Sequence, residues 1–166
     1  MQTFTSSATS INSTKLPAVY RKATLSAPLL LDYGCGKHIT HIFLHVMDKH
    51  IMYLPYDPYN QPDSVNGTSL GMVATAIRTR TPVDVVCSNV LNVIDDDQTV
   101  ADIADTIETV AERTGGTAYV TVYEGDRSGV GRQTGRDQYQ RNEPLRNYLK
   151  YFRSATIRNG MIVVGH

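Results

Sequence analysis

The sequence has no tryptophan and only two cysteines, Cys35 and Cys87, set far apart. That spacing fits neither a metal-ligand cluster nor a disulfide framework, so zinc ribbons and disulfide scaffolds are excluded and a reducing, cytoplasmic setting is expected. No apolar run approaches the roughly 20 residues that cross a bilayer, so no membrane partner is expected. The first residues carry neither a cationic stretch nor an apolar core, and no secretory leader is predicted. Charge of one sign is also lacking: 16 Lys plus Arg balance 16 Asp plus Glu, so the whole-chain charge points to no partner. No internal repeat occurs. His38, His41 and His45 recur at helical spacing, but no acid stands between them in a metalloprotease pattern. They are read as a solvated or substrate-side face, and no metal is expected. A chain of 166 residues suits one domain with one core.

What is present centres on Leu29-Leu30-Leu31-Asp32-Tyr33-Gly34-Cys35-Gly36-Lys37. The leucines make a short buried strand, the strand ends on a carboxylate, and two glycines permit a turn that a ligand can approach closely. A helix is predicted over residues 36–48 with Ile39, Ile42, Phe43 and Val46 on its buried face. Residues 51–57 form a second strand ending at Asp57, 25 residues after Asp32 and followed by Pro58. An acid there is where a nucleotide-type fold accepts hydrogen bonds from ribose hydroxyls, and it also suits a simple Asp-Pro turn.

Residues 1–14, rich in serine and threonine, read as a mobile tail or a strap over the domain. Residues 15–23 form a short packing helix. Residues 59–71 read as loop, and 71–77 as either strand or helix. The β-branched run at 83–89 is a strand buried on both faces, with 89–94 as its exit. Asp95, Asp96 and Asp97 begin a helix with Val100, Ile103, Ala104, Ile107, Val110 and Ala111 inward, ended by Gly115 and Gly116. Its acids Asp102, Asp105, Glu108 and Glu112 read as a solvated face. A strand follows at 117–123, then a glycine- and arginine-rich loop at 125–141, a helix at 143–152, and paired strands turning at Asn159-Gly160. The expected fold is α/β: a Rossmann-like, doubly wound, mainly parallel sheet flanked by helices, in a single compact domain with a C-terminal hairpin. Residues 1–27 are tail and cap segment, and 28–166 the domain. Asp32, Gly34, Asp57, Ser88, Asn89 and Glu124 all fall at carboxyl ends of strands, where such sheets bind ligands.

The glycine pattern narrows the ligand. Ile39 stands where a dinucleotide fingerprint has its third glycine, and no Gly-Lys-Ser/Thr ending makes a phosphate-binding loop. An acid two residues before the first glycine repels pyrophosphate and attracts a cation.

The run from Leu31 to Lys37 resembles the first motif of class I S-adenosylmethionine-dependent methyltransferases. Asp57 matches their ribose-binding acid, and Asp84-Val85-Val86-Cys87-Ser88-Asn89-Val90-Leu91 looks like their fourth strand. A narrower likeness rests on Val85-Val86, on Val90-Leu91-Asn92-Val93-Ile94-Asp95, and on Gly131, Thr134, Tyr139-Gln140-Arg141 and Leu145. It points to small bacterial and phage-borne methyltransferases, including those associated with DNA phosphorothioation. The resemblance implies S-adenosylmethionine as cofactor. Asp32, Gly34 and Gly36 would line its methionine end with Tyr33 and Cys35, Asp57 and Pro58 would hold the ribose, and Ser88 and Asn89 would lie under the transferring methyl. Asn89 would be the polar group at the reacting centre. Three features depart from the pattern. The third strand is weak or absent between residues 60 and 82, no Asp/Asn-Pro-Pro-Tyr motif follows the fourth strand, and no proline precedes Cys87.

On the acceptor side the loop offers Arg127, Arg132, Arg136, Tyr139 and Gln140. Between residues 124 and 152 six basic residues outnumber four acidic ones, leaving +2. Arginines spaced by glycine can grip phosphates and an aromatic can stack a base, as a nucleic-acid acceptor requires. The other reading is a flexible loop whose arginines pair with neighbouring acids. Two functions fit these residues: a methyltransferase with an unassigned acceptor, and a non-catalytic module of the same fold that docks a partner. The oligomeric state is not legible.

Overall fold

The structure is a computed structural model that describes residues 1–7 and 15–165. Residues 8–14, part of the predicted tail or strap, and His166 lie outside the described residues. The strands are β1 (Leu29–Tyr33), β2 (Met52–Tyr56), β3 (Val83–Ser88), β4 (Ala118–Thr121), β5 (Arg132–Gly135), β6 (Gln138–Gln140), β7 (Ala155–Arg158) and β8 (Met161–Val164). The helices are α1 (Val19–Lys22), α2 (Thr40–Met47), α3 (Asp63–Thr79) and α4 (Asp97–Thr114), with 3₁₀ segments at Leu91–Val93 and Leu145–Tyr151.

Six strands form a mixed, mainly parallel sheet in the order β2-β1-β3-β4-β8-β7. The first four are mutually parallel, β8 runs antiparallel to β4, and β7 antiparallel to β8. β7 and β8 are joined by Asn159 and Gly160, both at positive φ, the conformation a two-residue turn between such strands requires. The side chains of the parallel strands alternate between two apolar layers. Leu31, Leu54, Val83, Val85 and Cys87 pack under α3, α4 and the second 3₁₀ segment. Leu30, Tyr53 and Val86 pack under α1 and α2 with Val19, Tyr20, Ile42 and Val46. Helices on both faces explain why β3 is buried almost throughout.

α4 forms as its sequence predicts. Asp96 caps it by accepting from the Thr99 N–H at 2.9 Å, and Gly115 ends it at φ +74°. Its acidic side is a different matter. Glu108 is fully buried, and its carboxylate accepts the N–H groups of Arg153 and Ser154 at 2.8 and 2.7 Å and the Ser154 hydroxyl at 3.0 Å. Arg153 also pairs with Asp105 and Glu112. The face read as solvated therefore docks the turn into β7. Glu108→Ala would remove the acceptor of the Arg153 and Ser154 N–H groups and empty the space of a fully buried side chain, and is expected to destabilise the fold by about 1–3 kcal/mol, read as a fall in the urea midpoint. Loss of less than about 1 kcal/mol would mean that the turn is held by its other contacts.

Three further expectations change. Residues 59–71 are not loop throughout: α3 begins at Asp63 and runs through Gly67 and Gly71. Tertiary burial of Asn66, Ser69, Val73 and Ala76 against the sheet outweighs the weak helix propensity of the glycines. The loop at 125–141 contains the antiparallel pair β5–β6. The helix expected from residue 36 starts at Thr40, because Gly36 sits at φ +73°, outside the right-handed helical region, and Phe43 is exposed beside the buried Ile42 and Val46.

β2 is an edge strand. Met52 donates to Pro28, and the Tyr56 carbonyl accepts from Gly34 and Cys35, so Tyr53 and Pro55 turn their backbone outward. Pro55 has no N–H, and its carbonyl accepts the Ser69 hydroxyl at 2.7 Å. That blunts the edge against further strand pairing. Among the described residues no helix is long and apolar enough to cross a membrane.

Candidate functional site

The chain moves from β1 outward to β2 and then crosses back to β3 on the other side of β1. This reversal leaves a crevice beyond the carboxyl ends of β1 and β3. The turn after β1 meets the segment after β3 there. A Cβ on Gly34, at φ +78°, would lie 2.3 Å from Cγ2 of Val90, so only glycine lets the two loops close on each other.

The turn is tied down by its own backbone. Gly34 and Cys35 N–H both donate to the Tyr56 carbonyl, at 2.7 and 3.2 Å, and Gly36 N–H donates to Asp57 Oδ2 at 3.0 Å. The Gly36 carbonyl accepts the Gln61 side-chain amide at 2.5 Å. All three N–H groups of residues 34–36 are thus used within the chain. A phosphate, which needs such groups free, finds none here.

Two carboxylates flank this turn. Asp32 is 3 % exposed and accepts the Tyr53 hydroxyl at Oδ2. Burial pushes its carboxyl up to about 6, against the lowering effect of Tyr53. The hydroxyl of Tyr20 is also buried near Asp32 but outside hydrogen-bonding geometry. Burial first and the Asp32 charge second push the Tyr20 phenol well above its usual range. The Cys35 thiol is pushed far up, by burial and then by the charges of Asp32 and Asp57, so it is no nucleophile at neutral pH. Cys87 is buried in β3 and raised for the same first reason. Among the described residues no Lys, Arg or His lies within ion-pair distance of Asp32 or Asp57. A turn without spare donors, beside two buried carboxylates without a cation, favours a positively charged ligand group over an anionic one.

Asp57 closes the Asp-Pro turn that its sequence also suits. Oδ1 accepts the N–H groups of Tyr59 and Asn60, both at 3.0 Å, while the Asn60 amide bridges both carboxylate oxygens at 3.2 and 3.1 Å. Its backbone is clasped by Asn66, whose amide oxygen takes the Asp57 N–H and whose NH₂ donates to the Asp57 carbonyl. Asn60 Oδ1 is buried without a partner. Gln61, Asn66 and Tyr53 carried no sign of this role in the sequence, because each acts through a neighbour that the fold supplies, whereas Asn60 meets Asp57 within the local turn.

Other predicted residues divide. Tyr33 and Tyr56 pack ring on ring, 4.9 Å between centroids, at the paired ends of β1 and β2. Pro58 is exposed. Ser88 shares a hydrogen bond with the Thr121 hydroxyl at 3.1 Å. Asn89 stands exposed at φ +57°, its N–H on the Thr121 carbonyl. Arg127 pairs with Glu124, whereas Arg132 and Arg136 are exposed on and beside β5 without an ion pair among the described residues. Gln140 points inward, accepting from Asn92 at 3.1 Å and donating to the Tyr123 carbonyl at 2.9 Å. Tyr139 is covered by Phe4, the rings 5.7 Å apart and 5° from parallel. Arg141 is also internal, bound to the Ile94 carbonyl, Asp97 and Glu143. These bonds fasten the β5–β6 pair beside the crevice.

The described residues hold no group of three or more His, Cys, Asp or Glu placed to bind a metal ion. A groove of about 300 Å³ along α3, lined by Leu29, Gly67, Gly71, Met72 and Thr75, has no charged side chain and lies away from the carboxyl ends of the strands. A scan against protein-family models, a search of curated proteins and a search of solved structures each return no match to the chain.

Proposed function

We propose that the protein is an S-adenosylmethionine-dependent methyltransferase, its parallel sheet a Rossmann-like core closed by the β7–β8 hairpin and acting in the cytoplasm. The observation that carries this reading is the turn at residues 34–36: it has no donor left for a phosphate and is bordered by Asp32 and Asp57 without a cation. A nucleoside bearing an ammonium and a sulfonium matches that environment, and a dinucleotide pyrophosphate does not. Bound S-adenosylmethionine supplies a methyl group on a positively charged sulfur for in-line displacement. In this reading Asp32 provides negative potential beneath the turn. Asp57 accepts ribose hydroxyls where it now accepts the two-fold contact of the Asn60 amide. Ser88 and Asn89, at the end of β3, border the acceptor. Alignment of acceptor and methyl can supply up to about 7–11 kcal/mol of the barrier lowering, so no protein base is required for an acceptor that is already nucleophilic. Arg132 and Arg136 are the cationic side chains we assign to an acceptor carrying phosphates, a nucleic acid.

Titration calorimetry should show S-adenosylmethionine and S-adenosylhomocysteine binding and nicotinamide cofactors not binding; failure of both adenosyl compounds to bind refutes the proposal. Tritiated-methyl transfer across DNA, RNA, protein and small-molecule pools then names the acceptor. A second reading, a non-catalytic docking module, is favoured by the saturation of Asp57 within the chain itself. Adenosyl binding with no label transferred to any pool would select it.

A further inference from the structure

The first seven residues do not hang free of the domain. Thr3 N–H donates to both oxygens of Asp95, at 2.9 and 3.1 Å, and Phe4 N–H to Oδ1 at 3.4 Å. Asp137, in the turn between β5 and β6, accepts the Thr5 N–H at 3.1 Å, the Thr5 hydroxyl at 2.5 Å and the Ser7 hydroxyl at 2.6 Å, and its carbonyl takes the Ser6 N–H at 3.0 Å. Phe4 stacks on Tyr139, whose hydroxyl rests where Gly131 leaves room for it. From the opposite side Lys37, next to the glycine turn, donates its ammonium to the Ser7 carbonyl at 2.6 Å. One short segment therefore ties together the loops that follow β1 and β3 and the β5–β6 pair, all on the rim of the crevice.

Two properties decide what such a strap can do. First, among the described residues its hydrogen bonds go to rim groups and none goes to Asp32, Gly34, Asp57, Ser88 or Asn89. It reaches from the loop after β3 to the turn after β1 without occupying the hydrogen-bonding groups of those five residues. Second, none of its side chains is fully buried, so it is held by polar contacts and one ring stack. Opening it breaks no apolar core, which places it at the low-stability end of the structure where moving elements are found. The carboxyls report the same grip. Hydrogen bonds from Ser7 and Thr5 bring Asp137 down to about 2. Burial raises Asp95, but the N–H groups of Thr3 and Phe4 outweigh it and hold the group below its usual range.

We propose that residues 3–7 are a lid that opens to admit the nucleoside ligand and closes over it, latched by Asp95, Asp137, Tyr139 and Lys37. The lid rests on the methyltransferase reading only for the identity of that ligand. It retards dissociation, and it uncovers the Tyr139 face whenever it opens.

The test is the kinetics of S-adenosylhomocysteine on the full-length immobilised protein, by surface plasmon resonance. Two variants release the latch from opposite sides: Asp137→Ala with Phe4→Ala, and Thr5→Ala with Ser7→Ala. Neither pair alters the floor of the crevice. Each is expected to raise the dissociation rate about tenfold, as loss of one net charge-assisted contact implies, with association unchanged or faster. Unchanged dissociation in both pairs, with the wild type binding, overturns the lid alone. So does faster association with unchanged dissociation, the signature of a segment that merely obstructs. A wild type that binds no adenosyl compound overturns the lid together with the functional reading.

Discussion

Asp32→Asn is expected to stabilise the protein at neutral pH while weakening its ligand. The unfolded chain titrates Asp32 near 3.8 and the folded chain near 6, so between these values the folded state binds more protons. The stability this carboxyl contributes is present below about pH 4, is lost as pH rises through about 6, and is level above that. The difference corresponds to about 3 kcal/mol, since each pKa unit is about 1.4 kcal/mol. Asparagine keeps the acceptor for the Tyr53 hydroxyl and offers an NH₂ to the unpartnered Tyr20 hydroxyl. A rise in Tm of about 6–12 °C at pH 7.5 and almost none at pH 4 is the expected pattern. In the same variant, affinity for S-adenosylhomocysteine should fall about tenfold or more, because the negative potential under the turn is gone. For the wild type, affinity should decline below about pH 6 as Asp32 takes up its proton. A variant equally stable at both pH values would show that Asp32 ionises without penalty, and unchanged affinity would remove it from the site. If both effects appear together, the buried acid is a functional group kept at the expense of stability, as such groups commonly are.

Gly34→Ala is expected to destabilise the fold by about 2–4 kcal/mol, from two separable causes. One is the positive φ of +78°, unfavourable for any residue with a Cβ; the other is the 2.3 Å approach of that Cβ to Val90. Val90→Ala removes only the second. The double variant should therefore recover about 1–2 kcal/mol relative to the sum of the single variants, measured by urea unfolding as a double-mutant cycle. Strict additivity would mean that the loops after β1 and β3 move apart to admit the methyl group. In that case the proposed role of the turn predicts a fall in S-adenosylhomocysteine affinity with the fold intact.

Local signals in the chain identified the elements that make the site. The leucine run through Asp32 and the β-branched run at 83–88 read as buried strands and are β1 and β3, because short apolar runs bounded by turn residues suit strands buried on both faces. The start of α4 was equally legible from Asp95-Asp96-Asp97, and its end from Gly115. α3 was not, because Gly67 and Gly71 are poor helix formers and only the burial of Val73 and Ala76 against the sheet makes the segment helical. Glu108 looked solvated because the residues that bury it, Arg153 and Ser154, arrive from the far end of the chain. Gln140 and Tyr139 read as ligand-facing for want of any local sign that Asn92 and Phe4 already engage them.

By itself the sequence determined the chemistry of the turn: an acid, two glycines and a second acid, with no third glycine and no phosphate-binding lysine motif. Those are properties of residue type and spacing, which no folding step can alter. Only the tertiary structure decided how that chemistry is deployed. Asp32 lies beneath the turn on Tyr53, Asp57 closes on Gly36 and Asn60, and residues 3–7 reach across to Asp95 and Asp137. Apart from the local Asp57–Asn60 contact, each joins segments remote in sequence, which the parallel sheet brings together at the carboxyl ends of its strands. Pairing of that kind leaves no mark in either partner alone.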